Sequence, residues 1–341
     1  MVGRVIVVAG AMLLSASAQA WGGVGHKAVT YMALDLMERA LGESADTPDW
    51  LFTDAMLDRA AYQSSEVDRV RAVRDDVMSH ENNPEHYLDI ELLNRYDLTL
   101  RTMPRLRREF IERIVLAHHE HPERFEDYDA ERDRAMVYYF PGFGAHAAME
   151  SYYRLVGAFR NVRILERISG DDEMRLRELG QARANVINHM GNLSHWIGDL
   201  AQPLHTTIHH HGWVGENPEG YTTEYAFHNY IDSGILMHHG IGELTLRDTI
   251  DTHASQINHE DPWEDVLDHL ERAFGELETL YRMHRDGTLE QDVGRWLIVG
   301  RLADGGRTLG GMYLAAWRAS EITDEDVETY LRFEPESLTA P

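Results

Sequence analysis

Cysteine is absent from all 341 residues, which excludes disulfides, thiolate metal sites and cysteine nucleophiles. Any metal ligands must therefore be histidine, carboxylate or backbone groups, and 20 histidines are a generous supply. Lysine is nearly absent too. Lys27 is the only one, and arginine provides the rest of the basic side chains. With 58 acidic residues against 32 basic ones, the formal net charge is −26. Such a surface repels a polyanion and argues against extended tracking along nucleic acid. No stretch sustains the alternation of a strand, no internal repeat is visible, and long Gly/Ser/Pro tracts are missing. The reading is an all-α chain with one large multi-helix domain.

Long apolar runs are lacking as well. The one at residues 5–14 follows Arg4 and precedes Ala18-Gln19-Ala20. A positive n-region, a short apolar core and a small-residue cleavage site predict a signal peptide over residues 1–20. The run is too short to span a bilayer, which disfavours its rival, a retained membrane anchor. Cleavage after Ala20 would leave a mature domain at residues 21–341 beginning Trp21-Gly22-Gly23, with no transmembrane segment, in the periplasm or outside the cell.

Helical periodicity dominates the remainder. Residues 25–41 place Val29, Met32, Ala33 and Leu36 on one face. Residues 50–79 read as one or two helices carrying Asp68, and residues 82–91 (NNPEHYLDIE) as a short irregular piece presenting His86. Helices follow at 104–118, where Pro104 suits a first turn, and at 145–168 and 172–200, which Ser169-Gly170 separates. A loop rich in His, Gly and Pro fills 205–224. Further helices are predicted at 225–238, 262–285 and 291–320.

The stretch at 191–205, GNLSHWIGDLAQPLH, is the centre of the chemistry. His195 and Asp199 lie one helical turn apart and share a face. Pro203 ends that helix, and the turn after it delivers His205. His228 and Asp232 repeat the i, i+4 pairing. One such pair is weak as a signal, because helices carry His and Asp at this spacing by chance. Two pairs with the intervening His205, and a Trp at the expected mature terminus, are harder to obtain by accident. Imidazole and carboxylate without thiolate suit zinc or another borderline first-row metal.

WGGVGH after a leader, HYLDIE, HWIGDLAQPLH and FHNYIDSGI together resemble the secreted trinuclear-zinc single-strand-specific nucleases, whose relatives are the bacterial zinc-dependent phospholipases C. The resemblance covers residues 21–235 and implies the mostly helical fold of that superfamily. It implies three zinc ions: one on Asp68, His86, His195 and Asp199, one on the Trp21 amine and carbonyl, His26 and a bridging Asp199, and one on His205, His228 and Asp232. Asp75 and Asp76 are the alternatives to Asp68. A terminal amine binds zinc far more readily than a peptide nitrogen, so leader removal and metal loading are linked.

Three dications against three aspartates would make the pocket locally positive. Paired metals roughly 3.5–4 Å apart clamp an in-line phosphoryl displacement and lower the pKa of a water to about 7. Asp68 is the implied catalytic residue, orienting that water or taking its proton. The expected activity is hydrolysis of single-stranded nucleic acid or nucleotides to 5′-phosphate products. Phospholipid head-group hydrolysis is the alternative, and a non-catalytic periplasmic metal-binding protein a third reading. Asp232 favours the nuclease version, since the phospholipases have Glu there. After His205 the nucleases have a base-binding loop with Asp and Gly-Gly-Asn, whereas this chain reads TTIHHHGWVGENPEGYTTEYAF. Trp213, Asn217 and Tyr221 are the substrate-binding candidates in its place. The tracts His209-His210-His211, His118-His119-His121 and His238-His239 read as exposed loop or helix-end histidines. Tyr152, Tyr153 and the aromatics between Trp296 and Trp317 read as core.

Overall fold

The structure is a computed structural model that describes residues 21–42, 46–73, 75–249 and 252–333. The expected leader at 1–20 lies outside the described residues. Among those described there is no strand, and the chain is all-helical. The helices are α1 (Gly22–Leu41), α2 (Asp54–Gln63), α3 (Glu66–Arg71), α4 (Asp76–Asn82), α5 (Arg107–Glu120), α6 (Gly144–Ile168) and α7 (Glu173–Ala201). They continue as α8 (Phe227–Asn229), α9 (Ile235–His238), α10 (Thr245–Thr249), α11 (Trp263–Phe274), α12 (Leu277–Arg285), α13 (Asp292–Ala319) and α14 (Asp324–Phe333). No helix among the described residues is long and apolar enough to cross a membrane.

Helix α7 is the axis. It packs along α6 and also meets α1, α2, α11 and α13, so its last turns are buried on every side. Asp172 starts it by accepting from the Met174 and Arg175 amides, satisfying two of the donors a helix leaves open at its N-terminus. Pro203 ends it as expected, and the chain passes directly into a 3₁₀ turn, Pro203–Thr206. Helices α1 and α13 pack closely because α13 is rich in glycine on the shared face. A Cβ at Gly306 would meet the Met32 sulfur at 2.6 Å.

The long periodic segments are where the pattern places them, and the short ones break more often. Residues 50–79 form parts of three helices rather than one or two. The break at Ser64-Ser65 is stabilised by Ser64 Oγ donating to the Ala61 carbonyl, and α4 starts anew with Asp75 capping Val77 N at 2.9 Å. Residues 262–285 divide into α11 and α12 at Gly275. The segment 225–238 contains a π-turn, Tyr230–Gly234, between α8 and α9. One hydrophobic core runs through the molecule, with Tyr152, Phe159, Tyr281, Tyr313 and Trp317 inside it. Trp296 and Tyr153 are exceptions to the aromatic reading, being 67% and 43% exposed.

Candidate metal centre

Eight of the predicted ligand side chains converge. His26 comes from α1, Asp68 from α3, and His86 from the 3₁₀ turn Asn83–His86. His195 and Asp199 come from α7, His205 from the turn after it, His228 from α8, and Asp232 from the π-turn. All eight are buried. Three groups bring candidate ligand atoms within 4.8 Å of one another: His26, Asp68 and His195; His86, His195 and Asp199; and His205, His228 and Asp232. The first two share His195. Asp199 ties them together, with Oδ2 lying 2.8 Å from His86 Nδ1 and 3.3 Å from His195 Nε2, and Oδ1 3.3 Å from His26 Nε2.

The outer hydrogen bonds show which ring nitrogens face inward as lone pairs. His195 Nδ1 donates to the Ser64 carbonyl at 2.8 Å, and His86 Nε2 donates to Asn82 Oδ1 at 3.0 Å. In neutral rings this leaves His195 Nε2 and His86 Nδ1 facing each other as two acceptors, only 3.1 Å apart. A cation shared between them, or a proton on either nitrogen, relieves that contact. Two nitrogens bound to one tetrahedral zinc at the usual bond length lie about 3.3 Å apart, so the spacing suits a shared ion. Without an ion, a proton on His195 serves: burial opposes its charge, but Asp199 and Asp68 push its pKa up.

The third group follows the same logic. His205 Nδ1 donates to the His86 carbonyl at 2.7 Å, which aims Nε2 at His228 Nε2, 3.0 Å away. Burial holds His205 neutral down to about 3, and pushes His228 well below its ordinary range. Both rings are thus unprotonated at neutral pH, the form a metal requires. Burial pushes Asp232 the other way, well above the carboxylate range. Asp68 Oδ2, Asp199 Oδ1 and Asp232 Oδ2 are buried without a hydrogen bond. Buried carboxylate oxygens without donors are costly unless a cation completes them. Donor set and geometry therefore fit metal ions: these buried His/Asp groups could hold them.

No family model matches the chain, and no curated protein does. The site must be read from its own geometry.

Trp21 is fully buried at the start of α1, in a left-handed conformation. Its carbonyl accepts from Gly25 N at 3.0 Å, and its backbone amide faces the Asp232 carboxylate. The backbone of Trp21 thus borders the third group, while residue 20, on its other side, lies outside the described residues. Asp75 and Asp76, the alternatives to Asp68, are exposed on α4. The first caps its helix and the second pairs with Arg134. Asp68 is the carboxylate that reaches the cluster.

The substrate-loop candidates are placed differently. Asn217 closes its own loop, with Oδ1 accepting from Tyr221 N and Nδ2 donating to the Tyr221 carbonyl. Tyr221 is buried between Trp213 and Tyr281. Trp213 stacks on His209 and donates Nε1 to the Glu216 carbonyl. All three are engaged in packing this loop, and none lines the cleft that leads to the cluster. That cleft encloses about 100 Å³ and is walled by Arg71, Tyr138, His210 and His211, over His86, His205 and His228. His210 and His211 are therefore part of the site rather than plain loop histidines. His118, similarly, is stacked between Phe125 and Tyr139.

Sequence reasoning missed Arg71, Gln202 and Asn82. Arg71 lies one turn after Asp68 and reaches its Oδ1 at 3.3 Å. Gln202 donates to Asp232 Oδ1 at 2.9 Å, orienting a ligand from the residue that precedes Pro203. Asn82 sits four residues before His86, a spacing that could have flagged it.

Gly198 has a stereochemical reason. A Cβ there would lie 2.8 Å from His26 Nδ1. Gly198→Ala must push the His26 ring away from Asp199. We expect this variant to stay folded and to bind fewer metal ions, with affinity lowered on the order of tenfold or more by analogy with disturbed outer-shell partners. Metal analysis by mass spectrometry after dialysis checks it.

Proposed function

We propose that the protein is a zinc-dependent phosphodiesterase of nuclease type, cutting single-stranded nucleic acid or nucleotides to 5′-phosphate products. The observation that supports this reading is the convergence of three buried His/Asp groups, two of which border one cleft walled by Arg71. Zinc is the proposed metal because the donors are imidazole and carboxylate in tetrahedral-edge spacing. Three ions are proposed, divided as the resemblance implies: Asp68, His86, His195 and Asp199 would hold one, His26, Asp199 and the Trp21 terminus freed by leader removal a second, and His205, His228 and Asp232 the third. Secretion to the periplasm or beyond belongs to the same reading.

Bound zinc would supply charge against the phosphate oxygens and water of lowered pKa. The chain's own residues do the rest. His86, His195 and His205 each aim a ring nitrogen inward through an outer hydrogen bond, and burial keeps His228 unprotonated. Asp68, buried and with Oδ2 free of hydrogen bonds, is the residue assigned in this reading to orient a zinc-activated water or take its proton. Arg71 steadies Asp68 through Oδ1 and offers a guanidinium to a non-bridging phosphate oxygen at the cleft. The acidic exterior disfavours long polyanions, so short single-stranded segments are the expected substrates.

Purified mature protein with measured zinc content should be assayed on single-stranded DNA, RNA and phosphatidylcholine in parallel. Hydrolysis of the nucleic acids, abolished by a chelator and restored by zinc, is the expected result. Cleavage of the lipid alone would replace this reading with the phospholipase, and no turnover on any phosphodiester would leave a metal-binding protein.

A further inference from the structure

Three of the ligand imidazoles are steered from behind. His195 Nδ1 donates to the Ser64 carbonyl, His86 Nε2 to Asn82 Oδ1 and His205 Nδ1 to the His86 carbonyl, so the other nitrogen of each ring points into the cluster. His228 is different. Its Nε2 faces His205 Nε2 at 3.0 Å, but its Nδ1 is buried without a hydrogen bond.

The tract His209-His210-His211 runs beside this ring, and two of its members have Nδ1 committed elsewhere. His209 Nδ1 accepts from the Val214 amide at 3.0 Å, and His210 Nδ1 donates to the Thr207 carbonyl at 3.0 Å. His211 Nδ1, like that of His228, is buried without a hydrogen bond. Two neighbouring rings therefore each bury an unsatisfied nitrogen. Their spacing suits a bond between them. At His205/His228 and His86/His195, ring centres 4.9 Å apart bring nitrogens to 3.0 and 3.1 Å. The ring centres of His211 and His228 are 5.1 Å apart. Tyr225 stacks on His211 at 4.0 Å and backs its ring.

Metal loading creates the donor that this pair lacks. Without an ion, the proton of neutral His228 belongs on Nε2, where it donates to the lone pair of His205 Nε2. His228 Nδ1 is then a bare acceptor. An ion between the two Nε2 atoms takes both lone pairs, so the His228 proton must sit on Nδ1. A buried N–H is costly to leave unpaired. Burial keeps His211 neutral at pH 7, so one of its nitrogens is free to accept.

We propose that His211 is a positioning residue for the third metal group, its Nδ1 accepting the His228 Nδ1–H once the ion is bound and so fixing the direction of His228 Nε2. This rests on the metal-centre reading above and gives one member of the histidine tract a task in it. A small turn of the two rings closes the bond.

The test is zinc titration of metal-free mature protein in competition with a chelator. The wild type is compared with His211→Ala, His211→Asn and His211→Gln, and His205→Ala marks loss of the ion in question. Asparagine places its amide oxygen where histidine has Nδ1, whereas glutamine reaches to the Nε2 position. The Ala and Gln variants should bind that ion roughly 10–100-fold more weakly, the other ions should be unaffected, and the Asn variant should be close to wild type. Wild-type affinity in His211→Ala would overturn the proposal, as would failure of Asn to rescue or rescue by Gln. In the wild type itself, ¹⁵N NMR of the histidines should show a His228 ring N–H that appears with zinc and exchanges slowly. Its absence would also overturn the proposal, whatever the variants' folding. If wild type and His205→Ala bind equal zinc, the metal reading of this group fails and the role of His211 with it. If they differ while His211→Ala matches the wild type, the group stands and only the role of His211 falls.

Discussion

Asp199→Asn should remove metal from two groups at once and lower phosphodiester hydrolysis on the order of 10³-fold, about 4 kcal/mol of barrier. The side chain is fully buried, and its two oxygens face three imidazoles, those of His26, His86 and His195. Asparagine keeps the shape but replaces one oxygen with an NH₂ donor and removes the charge. Whichever way the amide turns, one of the two linked groups receives a donor where it needs an acceptor. Metal content by mass spectrometry should fall by more than one ion per chain. His205→Ala, by contrast, should chiefly remove the ion of its own group. If both variants retain the wild-type metal content, the division of ligands described here is wrong.

Asp304→Asn should cost roughly 3–5 kcal/mol of stability, the usual penalty for leaving a buried cation without its partner. Asp304 lies inside α13 at 7% exposure and pairs with Arg301, with Arg272 Nε at 3.1 Å, with Arg307 at 3.2 Å and with His269 Nδ1 at 3.3 Å. Arg301 is equally buried and donates onward to the Ala201 carbonyl, while His269 Nε2 donates to the Ile197 carbonyl. The network thus holds the final turns of α7, from which Asp199 projects. Burial works against the charge on Asp304, but His269, Arg301 and Arg272 overcome it and depress the pKa. The contribution is therefore fully present above the unfolded-state value near 3.9 and declines as pH falls below it. Denaturant unfolding of metal-free protein should show a large gap between wild type and variant at pH 7 and a smaller one at pH 3. A gap independent of pH would mean that packing, not charge, is what the substitution disturbs.

Legibility varied with the range of the interaction. Long helices such as α1, α6, α7 and α13 follow from periodicity, because each buries a continuous apolar stripe whose spacing is local. The pairs His195/Asp199 and His228/Asp232 are legible for the same reason: one turn of helix fixes their common face. Residues 50–79 and 262–285 break where small residues let local hydrogen bonds or a turn replace the ladder, and periodicity does not register one missing turn. Trp213 and Tyr221 have the residue types of a base-stacking site, yet their loop folds them against Tyr281. Tyr138 and Tyr225 are aromatic as well and are left exposed. Residue type alone does not distinguish the two cases.

By itself, the sequence determined the helical class, the exclusion of thiolate chemistry and the inward-facing pairs on α7 and at 228–232, since these depend on composition and on contacts within a turn. Only the tertiary structure decided that His26, Asp68 and His86 meet those pairs, that Asp68 rather than Asp75 or Asp76 does so, and that Arg71 and His210 wall the cleft. Those outcomes depend on how α1, α3 and the turn at Asn83–His86 pack around the end of α7. Such packing is settled by contacts between residues more than a hundred positions apart, such as His86 with Asp199 and His195 with Ser64, which no local pattern encodes.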